Sequence, residues 1–165
     1  MTALHIVFVC TGNICRSPTA HAVLRQRIAE RGLGGQLEVS SAGLEAWHAG
    51  GPPDARSIAH ARRRGYELAD LRARHFRREE FLHADWVLVM DEGHLQRAAR
   101  LCPPAHAHKL RLLTDFCQRH DAGEVPDPYY GQAADFEHVL DLIEDACGGL
   151  LAHLGHGGAP VKSRA

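Results

Sequence analysis

The sequence lacks a long hydrophobic run and an excess of charge of either sign. Its 165 residues have a formal net charge of -1, and the apolar run at residues 6–9 near the N-terminus is short. A run of this length is neither a signal-peptide core nor a membrane span. Balanced charge produces no overall field that would attract nucleic acid or an anionic membrane. We therefore expect a cytoplasmic protein that binds neither nucleic acid nor a membrane.

Regular cysteine and histidine spacings are also missing. The five cysteines are odd in number and irregularly spaced, which suits reduced thiols better than the disulfides of a secreted protein. Histidine occurs 13 times, but pairs such as His106 and His108 or His153 and His156 match no standard zinc spacing. We predict no metal site and no cofactor.

No internal repeat or linker divides the chain. A length of 165 residues with 45% hydrophobic content is enough for one sizeable core. We predict a single domain over residues 1–154 and a flexible tail at 155–165.

Arginine is clustered in two places, at Arg62–Arg64 and again between Arg72 and Arg78, with acidic residues interleaved. Interleaved charges are typical of the solvated surface of a helix. We predict helix surfaces at both places rather than a binding patch.

Continuous β-branched and aromatic runs predict strands buried on both faces of a parallel sheet. Strands are predicted at residues 6–9, 37–41, 86–90 and 109–113, and helices at 17–31, 54–64, 91–100 and 135–154. Ser17 is expected to cap the first helix, with Pro18 at its first position. The alternation of strands and helices predicts an α/β sandwich with a mostly parallel sheet.

The loop between the first strand and the first helix reads Cys-Thr-Gly-Asn-Ile-Cys-Arg-Ser over residues 10–17. Backbone N–H groups and the helix dipole converge at such a position, which predicts a phosphate cradle. Gly12 and Asn13 are residue types that tolerate the positive φ such loops require. Cys10, as the last strand residue, is expected to direct its sulfur into the cradle.

Two further loop residues complete a possible reaction centre. The planar fork of Arg16 suits two phosphate oxygens at once, and the Ser17 hydroxyl is close enough in sequence to donate to the Cys10 sulfur. Thiols beside a helix N-terminus and an arginine ionise readily and become nucleophiles. Each residue alone also fits a structural role, as a buried cysteine, a surface arginine or a cap, so the prediction depends on their combination.

Residues 9–18 resemble the signature loop of the low-molecular-weight protein tyrosine phosphatases, and the resemblance extends from Ile6 to Leu154. It implies a three-layer α/β sandwich of flavodoxin-like topology, with a four-stranded parallel sheet and helices on both faces. It also implies a phosphotyrosine phosphatase that acts through a cysteinyl-phosphate intermediate. The loop residues that it assigns to substrate binding are Thr11, Gly12, Asn13, Ile14, Cys15 and Ser17.

Asp127 lies between Pro126 and Pro128 in a stiff, polar loop. By itself the pattern is a proline-bounded turn, but the resemblance implies that Asp127 is the general acid. It also implies that Tyr129, Tyr130 and Trp47 form the walls of a deep slot. Phosphoserine would be too short to reach a nucleophile at the bottom of such a slot.

The resemblance implies three supporting features. Ser41 resembles a serine that hydrogen-bonds the loop asparagine, here Asn13. Leu71 replaces a histidine that is usual in the family, so part of the network around Asn13 is expected to be missing or rebuilt. Cys15 matches a cysteine that can pair with the nucleophile on oxidation, although a packing role is equally compatible with its position.

The expected partner is a tyrosine-phosphorylated protein, with a bacterial tyrosine kinase as a family-level candidate and inorganic phosphate as the product. Three alternatives stay open. An arsenate reductase would need further cysteines after the third strand, where residues 90–94 have none, and a phosphoarginine phosphatase tends to have threonine at the position of Ile14. A non-catalytic phosphate-binding module would lose Cys10 or Asp127.

Overall fold

Four strands and five helices follow one another along the chain in a computed structural model that describes residues 3–156. The strands are β1 Leu4–Cys10, β2 Leu37–Gly43, β3 Trp86–Val89 and β4 Leu110–Leu112. The helices are α1 Arg16–Glu30, α2 Ala55–Arg62, α3 Glu80–His83, α4 Glu92–Leu101 and α5 Ala133–His153, with short 3₁₀ helices at Pro104–Lys109 and Leu113–Phe116. The tail predicted at 155–165 lies, from residue 157 onward, outside the described residues.

All strand pairs are parallel, and the sheet order is β2-β1-β3-β4. Alternate residues of β1 enter two separate cores. Ile6 and Phe8 pack with α1, α2 and α5 on one face, and Val7 and Val9 pack with α3 and α4 on the other. The predicted three-layer α/β sandwich with a four-stranded parallel sheet is therefore confirmed.

The prediction that Ser17 caps the first helix is wrong. Helix α1 begins at Arg16, two residues before Pro18, its N-cap is Cys15, and no side chain makes a capping hydrogen bond there. An earlier start turns the Ser17 side chain inward, where it is fully buried. In contrast, α2 and α4 begin with aspartate caps, since Asp54 accepts from the Ser57 N–H and Asp91 accepts from the His94 N–H.

The prediction of a helix surface between Arg72 and Arg78 is also wrong, because no residue of this segment is helical. The chain runs here beside the end of β2: the Gly43 N–H donates to Arg74 O at 2.8 Å and the Phe76 N–H donates to Gly43 O at 2.7 Å. These long-range bonds give the segment an extended course that charge spacing alone does not reveal.

Helix α5, with 21 residues, is the longest and buries an apolar stripe against α1 and the sheet. Its other face is charged, as expected for a helix that covers a core. Within residues 3–156, no helix combines the length and apolar character that crossing a membrane requires.

Candidate active site

The site lies where β1 and β3 end, at the carboxyl edge of the parallel sheet, as is usual for open α/β sheets. Cys10 is the last residue of β1 and is only 3% exposed. Residues 11–15 then form the loop that leads directly into α1. At such a strand-to-helix junction, the first N–H groups of the helix face the loop and can bind an anion there.

Asn13 shapes this loop. Its φ is 57°, and it is the only non-glycine residue with positive φ in residues 3–156. Its Oδ1 accepts from the Arg74 N–H at 3.1 Å and its Nδ2 donates to Ser17 Oγ at 2.7 Å. The two bonds hold an otherwise unfavourable backbone conformation in place.

Gly12 does not adopt positive φ, contrary to the expectation from its residue type. A Cβ at this position would lie 2.9 Å from Cδ2 of His48. The glycine therefore leaves room for an imidazole at the edge of the loop. Gly43 is still more constrained, since a Cβ there would lie 2.8 Å from Thr11 O.

Ser17 lies between the cysteine and the asparagine. Its Oγ is 3.0 Å from Cys10 Sγ and 3.3 Å from Ala42 O. Because Asn13 Nδ2 already donates to this oxygen, the single hydroxyl hydrogen is available to Cys10 Sγ or to Ala42 O. With an ionised sulfur, donation to Cys10 is the stronger of the two bonds.

The predicted bond between Ser41 and Asn13 is wrong. Ser41 Oγ lies 2.9 Å from His21 Nδ1 instead, while the Asn13 amide bonds Arg74 and Ser17. Burial, reinforced by the charge of Arg25, lowers the pKa of His21 to about 4. A neutral His21 thus accepts from or donates to Ser41 outside the loop network.

Leu71, which replaces the family histidine, packs against the larger core. It brings no polar atom to Asn13. The Arg74 backbone N–H donates to the Asn13 side chain instead.

Arg16 is buried, with 3% exposure, and its partners come from two loops, the one after β3 and the one before α5. Its Nη1 donates to Asp91 Oδ2 at 2.8 Å and to Val125 O at 3.0 Å, and its Nη2 lies 3.7 Å from Asp127 Oδ2. Burial would raise the pKa of Asp91, but the His94 N–H and the Arg16 guanidinium outweigh it and hold this pKa below its ordinary value. Asp91 is therefore a charged anchor that fixes the guanidinium at the site.

His94 lies on the other side of Arg16 and was missed by sequence reasoning, as was Asp91. Its Nε2 is 2.7 Å from Thr11 Oγ1 and 3.5 Å from Arg16 Nη2. Burial first, and then the positive charge of Arg16, lowers the pKa of His94 to about 4, so the ring is neutral at pH 7. A guanidinium can only donate, which favours Nε2 as the acceptor and the proton on Nδ1, 3.4 Å from Asp91 Oδ1.

A signal for these two residues was available. Asp91 and His94 follow β3, which pairs with β1 in parallel, so the loops after both strands meet at one edge of the sheet.

A cavity of about 220 Å³ opens above Cys10. Its lining residues are Cys10, Thr11, Gly12, Ile14, Cys15, Arg16, Trp47, His48, Asp127, Tyr129 and Tyr130. Of the predicted site residues, Asn13, Ser17 and Ser41 do not line it. Sequence reasoning missed His48, which adjoins Trp47 and has no motif of its own.

The rim of the cavity is aromatic and exposed. Trp47 is 71% exposed and Tyr130 is 95% exposed, and the rings of Tyr129 and Tyr130 meet edge to face at 4.9 Å. Asp127 lies on the same side, half exposed, with its Oδ1 accepting from the Tyr129 N–H at 3.1 Å. The rim thus carries one carboxyl group among aromatic side chains.

Cys15 lines the cavity as a second free thiol. Burial raises the pKa of Cys15 to about 12, so it stays protonated at neutral pH. It cannot supply an alternative thiolate. In residues 3–156, no three His, Cys, Asp or Glu side chains are grouped as metal ligands.

Comparisons with known proteins agree with this geometry. The sequence model described as low molecular weight phosphotyrosine protein phosphatase matches residues 5–159. A low molecular weight protein-tyrosine-phosphatase of Streptomyces coelicolor is 45% identical over 150 residues, which cover 89% of this chain and 91% of the relative.

Solved structures give the same result. A protein tyrosine phosphatase from Entamoeba histolytica, with Hepes in its active site, superimposes with a TM-score of 0.90 at 35% identity, covering 93% of this chain and 97% of that one. DARP, a drosophila arginine phosphatase, matches with a TM-score of 0.83 at 28% identity and covers 90% and 96% of the two chains. With a family model matching nearly the whole chain and relatives matching over most of their length, the chain belongs to the low molecular weight phosphotyrosine protein phosphatase family.

Proposed function

We propose that this protein hydrolyses phosphotyrosine in a protein substrate, with Cys10 as nucleophile, Arg16 as phosphate-binding cation and Asp127 as general acid. Members of its family are metal-independent hydrolases. The observation that carries the assignment is the cavity itself, which has the Cys10 sulfur at its floor and the Asp127 carboxyl group at its rim. A phosphoryl group bound between them would have an attacking group on one side and a proton donor on the other.

In the first step, the Cys10 thiolate attacks phosphorus and forms the S–P bond while the bond to the tyrosine oxygen breaks. Asp127 gives its proton to that oxygen, so the leaving group departs as neutral tyrosine. The Arg16 guanidinium, held by Asp91 at 2.8 Å, donates to phosphate oxygens through its remaining N–H groups. Asp91 keeps this cation in place through both steps.

In the second step, water attacks the phosphorus of the cysteinyl phosphate. The Asp127 carboxylate takes a proton from this water, the S–P bond breaks, and inorganic phosphate leaves. The departing sulfur regains its negative charge, and the Ser17 hydroxyl at 3.0 Å can stabilise it by donation. The thiolate and the protonated Asp127 are then ready for another turnover.

The rim supports a phosphotyrosine substrate over a shorter phosphoamino acid. The flat ring of phosphotyrosine would pass between Trp47 and the pair Tyr129 and Tyr130, and aromatic contacts of this kind add about 0.5–1.5 kcal/mol beyond area burial. We propose further that residues 1–154 act as one catalytic domain in the cytoplasm. A bacterial tyrosine kinase is the partner that we propose to test first.

A phosphoarginine phosphatase is the second candidate, because a drosophila arginine phosphatase is among the similar structures. Ile14 lines the cavity here and, together with the tyrosine pair, makes its wall apolar. This wall favours an aryl group over a guanidinium.

The test compares peptides of one sequence that carry phosphotyrosine, phosphoserine or phosphoarginine, with arsenate reduction measured in parallel and a chelator present throughout. We expect phosphate release from the phosphotyrosine peptide and, after rapid denaturation, phosphate trapped on Cys10. Faster release from phosphoarginine, or arsenate reduction with thiols as electron donors, would overturn the substrate assignment.

A further inference from the structure

A groove of about 460 Å³ lies beside the loop that carries Cys10. We call it the arginine groove and define it by Leu44, residues 75–79, and Arg97, Arg100 and Leu101 near the end of α4. Its two walls are distant in sequence and meet because residues 74–76 run along Gly43 while α4 packs on the same face of the sheet.

The groove has an apolar floor and a cationic border. Phe76 is 1% exposed and Leu44 is buried beside it. The side chains of Arg77, Arg78 and Arg100 are exposed, and none forms a hydrogen bond or ion pair with another side chain or backbone group of residues 3–156.

The remaining charges do not neutralise this border. Arg97 bonds the Glu45 carboxylate, so that pair is internally balanced. Glu79 is the acidic residue among the lining side chains. Three free arginines against one glutamate leave a local positive charge on a protein whose formal net charge is -1.

The groove is in direct backbone contact with the loop below the active-site cavity. The Leu44 N–H donates to Cys10 O at 2.9 Å, and the Glu45 N–H donates to Thr11 O at 2.9 Å. Leu44 lines the groove and Trp47, three residues later, lines the cavity, so residues 44–47 join the two. A peptide chain whose phosphotyrosine ring lies between Trp47 and the pair Tyr129 and Tyr130 can therefore extend along this segment to the groove.

We propose that the arginine groove binds an acidic segment of the phosphotyrosine protein, a few residues from the phosphotyrosine itself. The inference rests on the proposed function. Free guanidinium groups bind carboxylates as planar, bidentate partners, and Leu101, 37% exposed at the side of the groove, offers an apolar contact to aliphatic side chains between them. Single-stranded nucleic acid is a poorer fit, because it needs exposed aromatic rings for stacking and the aromatic ring in this groove, Phe76, is buried.

The experiment measures kcat/KM for peptides in which a block of glutamates lies at increasing distances before or after the phosphotyrosine. Peptides with glutamine at the same positions serve as the comparison. A small aryl phosphate, which cannot reach the groove, is the internal reference. We expect the glutamate peptides at the favoured spacing to react faster by about two- to fivefold for each arginine engaged. Raising the salt from about 0.05 M to about 0.5 M should remove this preference by screening.

Two variants assign the preference to the groove. Arg100→Ala, and the double variant Arg77→Ala with Arg78→Ala, should each lower kcat/KM for the acidic peptide and leave the small aryl phosphate unaffected. Arg63→Ala is the matched control, since Arg63 is also exposed but follows α2, which packs on the opposite face of the sheet. Unchanged rates on the small substrate also show that the variants are folded.

The outcomes separate the two proposals. Hydrolysis of phosphotyrosine peptides with no preference for acidic ones at any spacing would overturn the arginine groove as a docking site and leave the proposed function standing. So would an equal loss in the Arg63 control, or groove-dependent binding of an oligonucleotide without an effect on peptides. No hydrolysis of any phosphotyrosine peptide would overturn both.

Discussion

The floor of the active site comes from one continuous segment, residues 10–17, whereas its rim comes from the separate loops that carry Trp47 and Asp127. The floor is buried: Cys10 and Arg16 are each 3% exposed, and every polar side chain between Asn13 and Ser17 has a partner. The rim is open to solvent, with Tyr130 at 95% exposure. The floor is therefore held in one geometry by burial and hydrogen bonds, whereas the exposed side chains of the rim have fewer such constraints.

This difference separates two tasks. Groups that form and break bonds need fixed positions, because transition-state stabilisation depends on preorganised donors and charges. Groups that select a substrate can be exposed and mobile. We therefore expect changes in the floor to affect the chemical steps and changes in the rim to affect mainly substrate choice.

The largest effect is expected from Cys10→Ser. A serine hydroxyl is not ionised in this position, so the attack on phosphorus fails and kcat should fall by about 10⁴-fold or more. Phosphate release and the formation of a phosphoenzyme should be measured together, with binding of inorganic phosphate as the control for an intact floor. A Cys10→Ser protein with full activity would refute the mechanism.

Asp127→Ala tests the one rim residue that takes part in the chemistry. Losing the proton donor should slow phosphotyrosine hydrolysis by about 10²–10⁴-fold. The loss should be much smaller for an aryl phosphate with a weakly basic leaving group, which departs without a proton. The control is Asp121→Ala, because Asp121 is an exposed aspartate of the same loop before α5; equal losses in both variants would contradict the role of Asp127.

Ser17→Ala should have an intermediate effect that reveals itself in the second step. The variant removes the hydroxyl 3.0 Å from Cys10 Sγ and frees the Asn13 amide, and a hydrogen bond to a charged group corresponds to about 10–100-fold in rate. Pre-steady-state kinetics should show a burst of tyrosine followed by slow phosphate release. Ser40→Ala, on β2, removes bonds to His5 and to the Arg74 side chain but none to Cys10 or Asn13, and it should leave both phases unchanged.

The smallest effect is expected from Tyr130→Ala at the exposed rim. Removing one wall of the slot should lower kcat/KM for phosphotyrosine peptides by about two- to tenfold, with little change for a small non-aromatic phosphate ester. Tyr130→Phe keeps the ring and should behave like the wild type. A loss as large as that of a floor variant would show that rim and floor are not separable in the way proposed here.

The floor of the site could be predicted from the sequence much better than the rim. The strand, the loop and the helix around Cys10 are adjacent in sequence, so apolar runs and the loop motif predicted them together. Asp127 and the aromatic walls had no decisive local signal and entered through the family resemblance. The Ser17 cap and the bond from Ser41 to Asn13 were wrong, because both required knowing which partners the folded chain brings near these side chains.

Taken alone, the residues of this chain determined a buried parallel strand that ends in a cysteine, an anion-binding loop and a helix start behind it. Backbone N–H groups and the helix dipole are local properties, so short-range order was enough to specify them. Only the tertiary structure decided that Asp91 and His94 flank Arg16, and that arginines from residues 77–78 and from α4 border one groove. Those contacts join residues far apart in the chain, and they exist only once the sheet and its two helical layers have packed.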